Sequence, residues 1–246
     1  MAVRIEKWPN AGAPDGHLRV LVVEPDQEAQ KGPVLLSLHG AGEASPRGNE
    51  LPKILLHSAP GFQAILGGLP GVTVVSPQAP DDPGANWNWN WRTYMPDLAE
   101  QLAKRYAGRT ILATGFSRGG RGVLQLMAAK PGLVSRWAVV DPQPPDAGDE
   151  DAKIMAAIDA HPDGWVRYGP RYPAMRAFGD RLRQRLGGHA QFADQDHVPL
   201  AIAAHTGDGL GGVGMYEFLQ PEQHAAPAAG PRGRRSKGGA AARAAN

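Results

Sequence analysis

Ser117 is the residue of this chain whose type and surroundings most directly suggest chemistry. It lies in the sequence GFSRGG (residues 115–120), between an apolar run and a segment with helical spacing. A Gly-x-Ser-x-Gly turn between a strand and a helix is typical of a nucleophile elbow, which holds the serine in an unfavourable backbone conformation. This arrangement indicates attack by the Ser117 hydroxyl on an acyl carbon. The amide of Arg118, at the start of the following helix, is then expected to stabilise the oxyanion.

The same turn has other interpretations. A phosphate-binding loop requires Gly-Lys-Ser/Thr at its end, and a dinucleotide fingerprint requires Gly-x-Gly-x-x-Gly in the first βα unit; residues 115–120 have neither pattern. A plain connection between a strand and a helix remains open. The hypothesis of a nucleophilic serine therefore needs partners elsewhere in the chain.

The first partner is the segment LSLHGAGE (residues 36–43), a His-Gly-x-Gly sequence at the end of a buried apolar run. A loop of this kind supplies the second oxyanion amide in folds with a nucleophile elbow. We expect the amide of Ala41 to be the donor, with that of Gly42 as the alternative and as a substrate contact. His39 is expected to order the loop rather than to take part in catalysis.

A general base should follow the last strand of the sheet, so that its loop returns over the serine. His197 is the best placed of the eight histidines, because it follows the run HAQFAD (189–194) and precedes a helical segment. A metal site formed by Asp194, Asp196 and His197 is the competing interpretation, since carboxylates and imidazole bind cations. No second cluster completes a ligand shell, so no metal and no cofactor is expected.

Asp141 is the carboxylate expected to orient that base. It ends the run WAVVDP (137–142), which follows the helix after Ser117, so it should lie at the carboxyl end of a neighbouring strand. The alternative is that Asp141 only turns the chain before Pro142, as aspartate often does. Asp194 and Asp146 are held in reserve for the same role.

Specificity is predicted to come from aromatic side chains near the serine. Trp87, Trp89 and Trp91 recur at spacing two in NWNWNW (86–91) and could form the wall of an acyl or aromatic substrate site, or simply pack in the core. Phe116, next to the serine, is also expected to contact substrate. Arg118 could attract a substrate carboxylate, and residues 143–164 could form a small helical lid.

Buried apolar runs alternate with helical segments along most of the chain. The runs lie at residues 33–40, 72–77, 110–115, 137–142 and 164–169, and amphipathic segments separate several of them. Two earlier runs, VRIEKW and LRVLVVE, are predicted to form an antiparallel pair. The pattern predicts an α/β fold, a mostly parallel doubly wound sheet flanked by helices.

Composition limits the classes of protein that fit. The 246 residues carry a net charge of +2, but residues 220–246 hold five basic residues and one acid, which leaves 21 basic and 23 acidic residues in 1–219. A net charge of −2 there gives no reason to expect nucleic acid as a partner. We predict one catalytic domain over 1–219 and a disordered Pro/Gly/Ala/Arg-rich tail over 220–246, with an arm that contacts nucleic acid or an acidic partner as the alternative. Without cysteine or an apolar run of membrane-spanning length, a cytoplasmic protein with no membrane contact is expected.

The motifs LLSLHGAGE, VVSPQAP followed by NWNWNW, and TGFSRGG occur in an order that resembles the α/β-hydrolase family, in the esterase and peptidase-like branch related to feruloyl esterases and polyhydroxybutyrate depolymerases. The resemblance covers about residues 30–130 and implies the α/β-hydrolase fold and a Ser, Asp/Glu, His triad in that chain order. It departs from the family at two positions. Asp196 stands before His197 where the family usually has glycine. Tyr172 stands where the family usually has its acid, and the next carboxylate, Asp180, lies inside a helix. Pancreatic-type lipases of the same fold carry their acid at the position of Asp141.

The sequence therefore predicts a serine hydrolase that cleaves an ester or related acyl bond of a small molecule through an acyl-enzyme intermediate. Carboxylesterase, thioesterase, peptidase and acyltransferase activities are variants that the same triad supports. The alternative is a catalytically weak pseudo-hydrolase that uses its pocket for binding or regulation. Oligomeric state is not predicted.

Overall fold

An eight-stranded sheet runs through the centre of the molecule. The computed structural model describes residues 1–26, 31–45, 48–80, 91–206 and 214–220. The strands are β1 Ala2–Pro9, β2 His17–Glu24, β3 Val34–Leu38, β4 Thr73–Gln78, β5 Ile111–Phe116, β6 Arg136–Val140, β7 Gly164–Tyr168 and β8 Ala190–Phe192. Their order across the sheet is β1-β2-β4-β3-β5-β6-β7-β8. β1 pairs with β2 and β2 with β4 in antiparallel fashion, whereas all later pairs are parallel.

The central strands are buried on both faces, which explains their continuous apolar sequences. Every residue of β3, β4 and β5 is buried. Successive side chains point to opposite faces, so Leu35 packs in one core layer and Leu36 in the other. β1 is an exposed edge strand, and its pairing with β2 confirms the antiparallel pair predicted from sequence.

Helices cover both faces of the sheet. They are α1 Pro60–Ile65, α2 Met95–Arg105, α3 Arg118–Ala129, α4 Asp149–Ala160, α5 Pro173–Leu186, α6 His197–Thr206 and α7 Met215–Leu219. Buried side chains of α2, α3, α4 and α5 form one core layer, and those of α1, α6 and α7 form the other. The predicted doubly wound, mostly parallel sheet is therefore confirmed.

Residues 143–164 do not form the lid that the sequence suggested. Their helix, α4, packs on α3 as the crossover between β6 and β7. Ile154 and Ile158 are each 1% exposed and belong to the main core. The length of the segment reflects an ordinary crossover connection, since two neighbouring parallel strands are usually joined through a helix.

Two sequence predictions fall partly or wholly outside the described residues. Residues 221–246, which make up most of the expected tail, are among those not described, while Gln220 is buried and its amide donates to the Tyr216 carbonyl at the end of α7. Trp87 and Trp89 also lie outside the described ranges. Among the residues that are described, none of the helices is both long and apolar enough to cross a membrane.

The packing of α5 on β7 gives a test of this core. A Cβ atom on Gly179 of α5 would lie 2.3 Å from the ring of Tyr168, which is fully buried. Alanine normally favours a helix over glycine by up to about 1 kcal/mol, but the clash should reverse the sign. We expect Gly179→Ala to lower the free energy of unfolding by about 1–3 kcal/mol, measured by urea denaturation. Gly188→Ala, where no atom lies within 4 Å of the new Cβ, is the matched control and should leave stability unchanged.

Candidate active site

Ser117 occupies a strained turn at the carboxyl end of β5. Its backbone has φ 57° and ψ −117°, and α3 begins at the next residue. Its amide donates to the Val140 carbonyl at 2.9 Å, so the turn is fixed to the neighbouring strand. A non-glycine residue in such a conformation costs about 1–3 kcal/mol and persists only where surrounding contacts enforce it.

Two glycines make this sharp turn sterically possible. A Cβ on Gly119 would lie 1.9 Å from the Leu38 carbonyl oxygen, and one on Gly115 would lie 2.2 Å from the Gly119 carbonyl oxygen. Neither position can accept a side chain without moving backbone. The start of α3 therefore lies directly against the ends of β3 and β5, which is the close approach that the Gly-x-Ser-x-Gly spacing predicts.

Asp141 follows β6 at the position that corresponds to Ser117 after β5. Phe116 and Val140 are register partners in the β5–β6 pair, so Ser117 and Asp141 are the first residues beyond two paired positions. Asp141 is fully buried and has a left-handed backbone with φ 44°. Its Oδ1 accepts from the Gly169 amide at 3.3 Å, and its Oδ2 lies 2.5 Å from Nδ1 of His197.

His197 is the first residue of α6, which follows β8. Its ring lies 4.3 Å from that of Phe116 and 5.1 Å from that of Tyr172, which it meets nearly at right angles. These two rings and Asp141 fix the orientation of the imidazole. With Nδ1 bonded to the carboxylate, Nε2 is the nitrogen available for proton transfer.

Ser117 and His197 line one open cleft of about 320 Å³. Its other lining residues are Ala41, Gly42, Glu43, His57, Phe116, Arg118, Gln143, Tyr172, Met175 and Val198. The expected nucleophile Ser117, the expected base His197 and the loop with Ala41 therefore share one cavity. The expected acid, Asp141, contacts His197 from outside this lining. Phe116 and Gly42 line the cleft as the sequence predicted for substrate contacts.

The loop that carries Ala41 is held by His39. The buried imidazole donates from Nδ1 to the Gly40 carbonyl at 2.7 Å and accepts the Ala79 amide at Nε2, 2.9 Å away. Burial lowers the pKa of His39, which agrees with a neutral ring that both donates and accepts. His39 therefore orders the loop and does not line the cleft, as expected from sequence. Ala41 begins the 3₁₀ turn Ala41–Glu43 and faces the cleft opposite the N-terminus of α3.

Trp91 lies elsewhere than the predicted substrate wall. It is 1% exposed, its Nε1 donates to the His39 carbonyl at 3.3 Å, and its ring packs against Gly122 of α3. The carbonyl partner makes burial of the indole N–H inexpensive. Trp91 therefore supports the oxyanion loop from inside the core.

The reserve candidates Asp146 and Asp194, and Asp180 in α5, do not line the cleft. Asp146 pairs with Arg121 at 2.6 Å, and Asp180 accepts from the Tyr168 hydroxyl at 2.7 Å. Asp194 is not a cleft-lining residue in the structure as described. No group of three or more His, Cys, Asp or Glu side chains suited to a metal ion occurs within the described ranges.

Glu43 and His57 form a second carboxylate–imidazole pair in the cleft, which sequence reasoning missed. Oε1 of Glu43 lies 3.0 Å from Nε2 of His57. The acid at the end of the LHGAGE motif was a usable signal for Glu43. No comparable signal marked His57, because its place in the cleft depends on a left-handed backbone, φ 56°, within the 3₁₀ segment Leu51–Ser58.

Comparison with protein-family models and with curated proteins found no match. Among solved structures, the chain is similar to a thermostable esterase with a TM-score of 0.57 and 19% identity, over 89% of this chain and 62% of that one. It is similar to the esterase domain of a Rhodothermus marinus protein with a TM-score of 0.56 and 15% identity, over 83% of this chain and 95% of that one. It is also similar to fluorophosphonate-binding serine hydrolase F of Staphylococcus aureus, with a TM-score of 0.57 and 12% identity, over 82% of this chain and 94% of that one.

These similarities establish the fold of the chain. The protein has the α/β-hydrolase fold, as its sequence predicted, and its structural neighbours are esterases and serine hydrolases. The chain spans less than two thirds of the thermostable esterase's length.

The histidine behind the Glu43–His57 pair makes stability depend on pH. His205 is 4% exposed and donates from Nδ1 to the His57 carbonyl at 2.9 Å, while burial lowers its pKa to about 4. An unfolded histidine titrates near about 6.5, so the unfolded state takes up this proton first as pH falls. The stability contributed by neutral His205 is complete above pH ~6.5 and is lost as pH falls toward ~4.

We therefore expect His205→Asn, which retains a donor to the carbonyl, to be less stable than wild type at pH 7.5 and to lose less stability between pH 7.5 and 5. Urea denaturation at both values measures this. The matched control is His17→Asn, because His17 makes the same Nδ1-to-carbonyl contact, with Asp15, on the surface. A difference between wild type and His205→Asn that is independent of pH would contradict the prediction.

Proposed function

We propose that the protein is a serine hydrolase that cleaves an ester or related acyl bond through Ser117, His197 and Asp141. The observation that carries the proposal is the 2.5 Å contact between Asp141 Oδ2 and His197 Nδ1, made on the cleft that also contains the strained Ser117. A buried carboxylate bonded to an imidazole beside an elbow serine matches the roles of nucleophile, base and orienting acid.

In the proposed reaction, His197 Nε2 takes the proton of the Ser117 hydroxyl as its oxygen attacks the acyl carbon. Asp141 holds the tautomer of the imidazole and stabilises the imidazolium, without itself taking the proton. The amides of Ala41 and Arg118 donate to the oxyanion of the tetrahedral intermediate. His197 then protonates the leaving group, and water releases the acyl group from Ser117 by the same route.

The shape of the cleft supports a small-molecule acyl substrate. Its lining includes the apolar or aromatic side chains of Phe116, Tyr172, Met175 and Val198. The polar lining includes Glu43, His57, Arg118 and Gln143. Structural neighbours described as esterases and as a fluorophosphonate-binding serine hydrolase support ester cleavage of the carboxylesterase type. The order of motifs supports the feruloyl esterase and depolymerase-related branch, and thioesterase, peptidase and acyltransferase activities are variants that the same residues permit.

The first test is covalent labelling of the serine. Incubation with a fluorophosphonate probe should add one probe mass to the intact protein, and peptide mapping should place it on Ser117, because only an activated serine reacts readily. Ser117→Ala is the control and should remain unmodified. Failure of the folded wild-type protein to form the adduct would instead favour the pseudo-hydrolase alternative.

The second test addresses the acid. Asp141→Asn should lower kcat on a nitrophenyl ester by about 10⁴-fold, the size known for the same change in a chymotrypsin-type triad, because the amide favours the wrong tautomer of His197. Asp180→Asn is the matched control, since Asp180 serves only as the acceptor of the Tyr168 hydroxyl in the described contacts. Near-normal turnover by Asp141→Asn, or a large loss in Asp180→Asn, would refute the assignment of the acid.

A further inference from the structure

His57 is a cleft residue to which the proposed mechanism gives no task. Its imidazole lines the same cavity as Ser117 and stacks edge-on against Phe116, with ring centroids 6.0 Å apart. The ring of Phe116 also contacts His197. The two histidines are therefore both neighbours of one aromatic side chain beside the nucleophile.

The fold places His57 at an energetic cost. Its backbone is left-handed, with φ 56° and ψ 33°, and interrupts the 3₁₀ segment Leu51–Ser58. Such strain in a non-glycine residue collects at functional sites. The conformation is held by the hydrogen bond from His205 to the His57 carbonyl and by the side-chain contact with Glu43.

Glu43 favours the protonated, positively charged form of the imidazole. The Glu43 side chain is only 5% exposed, and a buried carboxylate is costly without a cationic partner. Its hydrogen bond raises the pKa of His57, although partial burial of the ring opposes the effect. Burial would raise the pKa of Glu43, but the hydrogen bond with His57, the charge interactions with His39 and His57 and a backbone hydrogen bond together lower it. The contact between this buried carboxylate and the imidazole favours an ion pair, and both residues line the cleft.

The other ionisable groups around His57 do not cancel this charge. His39 and His205 both have their pKa lowered by burial and stay neutral near pH 7. On the same 3₁₀ segment, Lys53 is paired with Glu50. Arg118 adds a second cation to the cleft lining. Besides His197, the acidic and basic side chains that line the cleft, as described, are Glu43, His57 and Arg118.

The second ring nitrogen of His57 is available to a ligand in the cleft. Nε2 is occupied by Glu43, and Nδ1 has no hydrogen-bond partner within the described part of the chain. The side chain is 27% exposed, so a ligand in the cleft can reach it. An imidazolium N–H and a guanidinium that line the same cleft as the serine suit a carboxylate, because charge-assisted hydrogen bonds are about twice as strong as neutral ones.

We propose that His57, held by Glu43, is a specificity-determining residue that binds a carboxylate group carried by the substrate, with Arg118 as the second cation. The substrate class is then an ester that bears a free carboxylate, such as a monoester of a dicarboxylic acid. This inference rests on the proposed function where it is tested by ester turnover. The binding assay described below does not depend on that function.

The experiment compares matched esters with and without a carboxylate. On the acyl side the pair is mono-4-nitrophenyl adipate and 4-nitrophenyl hexanoate; on the leaving-group side it is 4-carboxyphenyl hexanoate and phenyl hexanoate. We expect wild type to favour the charged ester of at least one pair in kcat/KM, and the responding pair identifies the side. Replacement of His57 should reduce that preference about tenfold, the loss of one charge-assisted hydrogen bond.

Two variants separate charge from shape. His57→Asn removes the cation and tolerates a left-handed backbone, since asparagine is enriched there. Glu43→Gln keeps the shape of the carboxyl but removes the charge that favours imidazolium. His161→Asn, outside the cleft at the end of α4, is the matched control and should leave the preference unchanged.

The pH dependence of the preference distinguishes binding by the charge of His57 from a merely structural role of this residue. In wild type the preference should be full below the raised pKa of His57 and should fall as pH rises through it. In Glu43→Gln the fall should occur at lower pH. A pH effect on the shared chemical step affects both members of a pair alike, so it cancels in the ratio.

Binding to Ser117→Ala distinguishes failure of this inference from failure of the proposed function. Calorimetry should show monomethyl adipate, which carries a free carboxylate, binding more tightly than methyl hexanoate, which carries none, with the difference lost when His57→Asn is added. If no ester is hydrolysed but this difference appears, the carboxylate site stands and the hydrolase proposal falls. Equal binding of monomethyl adipate and methyl hexanoate, no preference within either ester pair, or equal losses on charged and neutral esters in His57→Asn would overturn the inference.

Discussion

The parallel register of β5 and β6 is the constraint on which the candidate site depends. Because Phe116 pairs with Val140, the next residues, Ser117 and Asp141, leave the sheet side by side at its carboxyl edge. The Ser117 amide still bonds to the Val140 carbonyl, and the Asp141 amide bonds to the Arg167 carbonyl at 2.6 Å. His197, on a later helix, needs only to reach the carboxylate to complete the arrangement. A shift of one residue in this register would separate the serine from its acid.

The site stores backbone strain that the packed sheet maintains. Ser117, Asp141 and His57 are the three non-glycine residues with positive φ in the described part of the chain, and all three belong to the site. Each costs about 1–3 kcal/mol. Close packing of α3 against Leu38 and the burial of Asp141 leave these residues no relaxed alternative. The rigid core thus offsets the cost of side chains that are oriented before a substrate binds.

Much of the fold and part of the site could be predicted from sequence. The continuous apolar runs and the helical spacing after Ser117 identified the sheet and α3, because burial on both faces leaves a clear pattern. Asp141 and His197 were selected by their positions after strands, which topology translates into proximity at one edge. Trp91 was assigned to the wall of a substrate site, but it lies in the core. The Trp spacing of two fits either location equally well. The Glu43–His57 pair was missed because a left-handed histidine and a contact between distant segments leave no periodic signal.

The central claim is that Asp141 and His197 share a proton-bearing hydrogen bond that prepares the imidazole for Ser117. Proton NMR of the intact protein tests it directly, because an Nδ1–H held by a buried carboxylate resonates far downfield of ordinary amide protons. The account predicts such a resonance in wild type, unaffected by His57→Asn and absent from both Asp141→Asn and His197→Gln. A downfield resonance that persists in Asp141→Asn, or its absence from wild type, would contradict the account.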